Sequence, residues 1–222
     1  MPSVMTSSST EFRQTQPATR FHLWVDGVGA YLLCLGERVT IGGPADPSKQ
    51  ADVSLLANLS RRHATFTRSG EGYVIEPLGQ CWVGNRQITE PTPLAGDDTI
   101  RLGTSVALKF RLPSVLTATG VLDFLSDHRP VYSVDGVIMM EETCLLGPGS
   151  EHHVICPNWP ETVVLFRRNE QFWCKSRSPV SVGGKPSPEG GPIRPGDVVS
   201  NGGGDIRFRL EEITESNGEP RA

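Results

Sequence analysis

Four consecutive residues, Ser60-Arg61-Arg62-His63, place a hydroxyl, two guanidiniums and an imidazole in one short stretch of chain. Hydroxyl, backbone N–H and guanidinium groups on a loop are the donors that recognise a phosphoryl group, which adds roughly −1.5 to −2 charge and three acceptor oxygens. In extended chain neighbouring side chains face opposite sides, so Arg61 and Arg62 are expected to point apart. Ser60 and His63 lie in one loop, and no Ser/His/Asp or Cys/His arrangement along the chain supports nucleophilic catalysis. No enzymatic activity is expected.

Other residues that could do chemistry are weaker. His152, His153 and Cys156 have the right types for a metal, but tetrahedral zinc takes four ligands and no partner pair stands at ligand spacing. They read as a polar loop entering the Val154-Ile155 strand, and neither a metal nor a cofactor is expected. Gly190-Gly191 and Gly202-Gly203-Gly204 lack the Lys-Ser/Thr of a phosphate cradle and read as turns. Gly96-Asp97 and Gly196-Asp197 read as hairpin turns.

The elements that must carry these residues are short. Glycine and proline number 24 and 18 among 222 residues, which punctuates the chain too often for long helices. Runs such as His22-Leu23-Trp24-Val25, Tyr31-Leu32-Leu33-Cys34 and Val39-Thr40-Ile41 are separated by Asp26-Gly27 and Gly36-Glu37, the pattern of strands joined by turns. Val106, Leu108 and Phe110 alternate with Ala107, Lys109 and Arg111, as a strand with one buried face requires. The fold class expected is all-β.

A net charge of −4 excludes general nucleic-acid affinity through a basic surface. No stretch approaches the roughly 18 apolar residues of a membrane span, and Met1 to Thr10 lack the apolar run of a secretory signal. Five widely spaced cysteines, Cys34, Cys81, Cys144, Cys156 and Cys174, form no C-x-x-C pair and suggest no disulfide framework. A soluble, cytoplasmic protein is expected, with neither nucleic acid nor membrane as partner.

Landmarks recur after about 100 residues, the signature of a repeat. Phe66, Arg68 and Tyr73 are echoed by Phe166, Arg168 and Trp173, Gly96-Asp97 by Gly196-Asp197, Gly103 by Gly203, and Val106, Leu108, Phe110 by Ile206, Phe208, Leu210. Earlier in each unit Leu23 and Val25 match Leu122 and Phe124, and Ile41-Gly42 matches Leu146-Gly147. The expected organisation is a disordered tail over 1–19, a β domain over 20–113, a second over 114–213 split from the first near Pro113-Ser114, and a disordered end over 214–222.

In the first unit the succession Ile41-Gly42-Gly43, Asp52-Val53, Ser60-Arg61-Arg62-His63-Ala64, Gly84-Asn85 and Leu94-Ala95-Gly96-Asp97-Asp98-Thr99-Ile100-Arg101-Leu102-Gly103 resembles the forkhead-associated (FHA) domain family. The resemblance covers about residues 20–113. It implies an eleven-stranded β-sandwich whose loops hold a phosphothreonine peptide, in a signalling or adaptor role. Position by position, Ser60 would donate its hydroxyl to the phosphate, Arg61 would supply charge, and Arg62 would stand beside them. His63 and Gly42 would brace the loop.

Two positions depart from the family pattern. Gly43 stands where the family has a phosphate-binding arginine. The loop that usually supplies a peptide-clamping asparagine is shortened to Gly79-Gln80-Cys81, leaving Gln80 and nearby Asn85 as peptide contacts. In the second unit Pro160, Glu161 and Val163 are matched to Ser60, Arg61 and His63, so phosphate binding there is unfavourable and the unit reads as a degenerate FHA-like copy. The expected partner is a phosphothreonine-containing protein, with Thr10 of the chain's own tail a candidate beside Thr6 and Thr15. The alternative is a phosphate-independent interaction scaffold or assembly module in which the phosphate site is degraded.

Overall fold

Alternation along the chain becomes strands because each buries one face and turns the other to water. Val106, Leu108 and Phe110 are fully buried, while Ala107, Lys109 and Arg111 are only partly covered. The computed structural model describes residues 19–46, 49–128 and 130–213. The first half holds β1 (Arg20–Val25), β2 (Gly29–Cys34), β3 (Arg38–Gly42), β4 (Val53–Ser54), β5 (Ala64–Ser69), β6 (Gly72–Pro77), β7 (Cys81–Val83), β8 (Arg86–Ile88), β9 (Thr92–Leu94), β10 (Thr99–Leu102) and β11 (Val106–Arg111). The second holds β12 (Gly120–Phe124), β13 (Gly136–Met139), β14 (Thr143–Gly147), β15 (Val154–Ile155), β16 (Val163–Arg168), β17 (Gln171–Lys175), β18 (Val180–Val182), β19 (Lys185–Ser187), β20 (Gly190–Ile193), β21 (Val198–Asn201) and β22 (Arg207–Glu212). The fold is all-β.

One sheet of twelve strands runs β19-β18-β21-β22-β1-β2-β13-β12-β11-β10-β7-β8. Two five-stranded sheets, β4-β3-β5-β6-β9 and β15-β14-β16-β17-β20, repeat one another with every strand advanced by eleven. The same shift carries β8-β7-β10-β11-β12-β13 onto β19-β18-β21-β22-β1-β2 around the closed order of 22 strands. Each half therefore lends its opening hairpin to the other: β1 pairs with β22 and β12 with β11. A cut at Pro113-Ser114 divides the chain in sequence but leaves neither sandwich whole, since each needs two strands from across it.

The exchange places β2 and β13 side by side in parallel, Tyr31 opposite Gly136 through Cys34 opposite Met139. Strands buried on both faces read as continuous apolar runs, and Leu32-Leu33-Cys34 and Val137-Ile138-Met139-Met140 are such runs. Leu33, Ile138 and Met140 enter the core of the second sandwich. Leu32, Cys34, Val137 and Met139 enter that of the first. The two small sheets consequently cover opposite faces of the long one, and the halves share a continuous backbone ladder. All five cysteines are buried as small hydrophobes, and desolvation pushes each thiol up, Cys81 to about 11.

Side-chain size matches each hairpin to its host. Phe21 of β1 and Gly120 of β12 occupy equivalent places, because Leu23 opposite Leu210 corresponds to Leu122 opposite Phe110. Gly120 lies under Tyr73 and Phe110, whose rings would each stand 3.0 Å from an added Cβ. The Tyr73 hydroxyl donates to the carbonyls of Ala118 (2.8 Å) or Met139 (3.0 Å) and accepts from the Gly120 N–H, stitching the borrowed hairpin in place. In the second sandwich Phe172 meets Phe21 edge to face, centroids 4.9 Å apart. Had the hairpins stayed at home, Phe21 would meet Tyr73 and Phe110 in Gly120's space, and Phe172 would face a void.

The pairing also corrects the repeat register. Ile41 pairs with Ala64 and Leu146 with Val163, so the counterpart of Phe66 is Leu165 and that of Arg68 is Arg167. Arg68 N–H donates to Glu37 O and Arg167 N–H to Glu142 O, both at 2.9 Å. Tyr73 then corresponds to Phe172, and Phe166 and Trp173, matched above by aromatic type, stack together on the other face. A slip of one residue turns every side chain to the wrong side of a strand. Val163 is therefore not the partner of His63; Thr162 is. The turns shift likewise: Asp98 and Asp197 close equivalent turns onto Ala95 and Arg194, so Asp97 corresponds to Gly196.

Candidate functional site

The loop from β4 to β5 is built on contacts that admit glycine alone at two positions. A Cβ on Gly42 would overlap the Arg61 carbonyl, and one on Gly43 would overlap that of Leu59. Gly43 N–H donates to Ser60 O at 2.8 Å and His63 N–H to Ile41 O at 2.8 Å, tying both ends of Ser60–His63 to β3 and the residue after it. Gly43 is thus a buttress under the loop. A side chain there would overlap the Leu59 carbonyl, so this position supplies no guanidinium to the loop.

His63 is buried at 5% exposure and points back into the scaffold. Its Nδ1 accepts from the Ser60 N–H at 3.2 Å, which leaves Nε2 to donate to Gln80 O at 3.0 Å. The ring packs on Gly79, where an added Cβ would stand 2.5 Å from it. One imidazole therefore sets the distance between the Ser60 loop and the Gly79–Cys81 loop. Both its nitrogens are engaged in hydrogen bonds. Gln80 O accepts a second bond, from Gly103 N–H at 2.8 Å, so the turn after β10 is fastened to the same atom.

A groove opens over this junction, lined by Asn58, Leu59, Ser60, His63, Gly79, Gln80, Gly103 and Thr104. Ser60 and Gln80 come together there, with Gly43 beneath. Arg61 and Arg62 are exposed next to Ser60, and neither has an ion-pair partner among the described residues. Asn85 does not line the groove; it sits exposed in the β7–β8 turn beside Gly84, whose φ is +57°. Asn58 and Thr104 were not singled out from sequence. Thr104 directly follows the Leu102-Gly103 that ends the family pattern, which could have flagged it, whereas Asn58 carries no local signal.

A family model described as FHA domain matches residues 39–103, the span that contains every residue lining this groove except Thr104. The chain carries an FHA domain. A solved structure titled "Rv0020c_FHA Structure" is 26% identical over 40% of this chain and 90% of that one, with a TM-score of 0.28. No curated protein matches. FHA domains are phosphopeptide-binding interaction modules, and the match over residues 39–103 supports such a role at the level of the family.

The equivalent place in the second half is occupied differently. The corrected register sets Trp159, Pro160, Glu161 and Thr162 against Ser60, Arg61, Arg62 and His63. Trp159 is buried against Phe208, and Glu161 accepts from Ser178 N–H at 2.9 Å. Thr162 donates to Nε2 of His152, whose Nδ1 donates to Gly149 O. His153 accepts from Leu145 N–H at 2.9 Å, and its pKa is lowered to about 4 by burial first, then by Arg111 and His152. Among the described residues no group of three or more His, Cys, Asp or Glu could hold a metal.

Proposed function

We propose that the groove of the FHA domain binds a phosphothreonine segment, with Ser60 donating its hydroxyl and Arg61 its guanidinium to the phosphate, Arg62 adding charge at the rim, and Gln80 contacting the peptide backbone. One observation carries the reading: His63 holds the Ser60 loop against the Gly79–Cys81 loop while Arg61 and Arg62, exposed and without an ion-pair partner among the described residues, follow Ser60. The second half, with a buried tryptophan, a proline and a carboxylate in the corresponding positions, is read as a degenerate copy without a phosphate site. The protein acts as a signalling adaptor, without catalytic activity of its own and without nucleic acid or membrane as partner. Its five buried free thiols suit a reducing, cytoplasmic setting.

Thr6, Thr10 and Thr15, candidates for a phosphorylated segment of the same chain, lie outside the described residues. A tail held in the same molecule would compete at high effective concentration. Titration of full-length protein with phosphothreonine peptides, one built around Thr10, tests both points. Micromolar binding that needs the phosphate is expected, and retention of no member of a diverse phosphopeptide library would refute it.

Gly43 favours a second reading. With the arginine position closed by backbone, the face serves as a phosphate-independent contact for a partner or for assembly. That reading predicts capture of an unphosphorylated partner unaffected by Ser60→Ala.

A further inference from the structure

The hydrogen bonds around His63 do not stop at Gly103. Two residues on, Ser105 Oγ lies 3.2 Å from Nε2 of His128, and His128 comes from the connection between β12 and β13, the hairpin that the second half lends to the first sandwich. Ser126 Oγ accepts from Ala107 N–H at 3.1 Å and shares a second hydrogen bond with Nδ1 of His128 at 3.1 Å. In either tautomer the ring ties Ser105 to Ser126, one nitrogen donating and the other accepting. The same connection reaches the other side of the groove. Val131 N–H donates to Ser54 O at 2.9 Å, Pro130 bridges Leu55, and Ser54 Oγ donates to Gly43 O at 3.3 Å. The borrowed hairpin thus braces both supports of the Ser60 loop: the β10–β11 turn on one flank, and β4 with Gly43 on the other.

We propose that the recognition groove is a composite of both halves, in which His128 of the second half is a positioning residue: it holds the Gly103–Ser105 turn, and through Gly103, Gln80 and His63 the backbone of Ser60. On this reading the second sandwich, having no phosphate loop of its own, supplies the hairpin that sets the geometry of the first. The proposal deepens the phosphothreonine reading of the groove and rests on it for the identity of the ligand.

The link is local and half exposed, so removing it loosens one turn without unfolding a sandwich. In the full chain, His128→Ala is expected to speed amide hydrogen exchange at Gly103 and Ser60 about tenfold. The amides of β16 and the thermal midpoint should stay as in the wild type. His128→Gln, whose amide keeps both a donor and an acceptor near the reach of Nε2, restores slow exchange. The affinity for a phosphothreonine peptide falls about fivefold in His128→Ala, the effect of one lost hydrogen bond, and recovers in His128→Gln.

Unchanged exchange at Gly103 and Ser60 in His128→Ala would overturn the proposal. So would faster exchange spread evenly over both sandwiches, or equal peptide affinity in a wild type that binds. If the wild type binds no phosphothreonine peptide, the functional reading fails, and the exchange measurement still decides whether His128 positions the loop.

Discussion

The two sandwiches share one strand order and differ where function would reside. In the first, the chain entering β5 presents Ser60, Arg61 and Arg62 to water and turns His63 inward to join two loops. In the second, the same stretch turns Trp159 into the core, and Thr162 takes the position of His63, bonded to a histidine from a different loop. Both solutions keep the loop in place. Only one leaves cations and a hydroxyl facing solvent, so the scaffold and the site answer to separate residues. The hairpins differ in the same way: the equivalent rings of Tyr73 and Phe172 face a glycine, Gly120, in one sandwich and a phenylalanine, Phe21, in the other.

Abolishing that size difference should have the largest effect. Gly120→Phe drives a ring into Tyr73 and Phe110 and is expected to cost about 3 kcal/mol or more, read as a fall in the urea midpoint. Phe21→Ala opens a void against Phe172 and should cost about 3–5 kcal/mol. An insensitive midpoint in both variants would mean that size matching does not hold the hairpins.

His153 gives the second half a pH dependence. Its folded pKa, about 4, lies below the unfolded value near 6.5, so the fold favours the neutral ring. That contribution is whole above about pH 6.5 and is lost as pH falls toward about 4, where the unfolded chain binds a proton that the folded ring refuses. The difference in stability between pH 7 and pH 4 should be larger in the wild type than in His153→Gln, by up to about 3 kcal/mol. Equal slopes for the two would contradict the assignment.

At the groove, Ser60→Ala and Arg61→Ala should each weaken a phosphothreonine peptide by about tenfold or more, each removing a hydrogen bond to a charged group worth about 1.5–3 kcal/mol. Arg62→Ala should cost only a few-fold, as a charge in water beside the site. Asn85→Ala should change nothing, because the side chain stands away from the groove. A large loss from Asn85→Ala would show that the peptide path runs over the β7–β8 turn instead.

How much could be read in advance follows from the range of each signal. The all-β class lies in local alternation, and the Ser60 loop in residue types a few positions apart. The hairpin exchange is not local: β1 and β12 each present an apolar face, and the two arrangements are separated by long-range fits, Gly120 under Tyr73, 47 residues apart, and Phe21 against Phe172. The doubly apolar runs at Leu32–Cys34 and Val137–Met140 did carry a hint that these strands are covered on both faces. Matching Phe66 to Phe166 by type slipped the register by one, since an aromatic ring sits as well on the outer face, stacked on Trp173.

The central claim, that the Ser60 loop is a phosphothreonine site, is tested most directly by isothermal titration of the full chain with one peptide in phosphorylated and unphosphorylated form, repeated with Ser60→Ala. The account predicts micromolar affinity for the phosphopeptide, none detectable without the phosphate, and a loss of about tenfold or more in Ser60→Ala. Equal binding of the two peptide forms, unaffected by Ser60→Ala, would contradict it and leave the groove as a phosphate-independent contact.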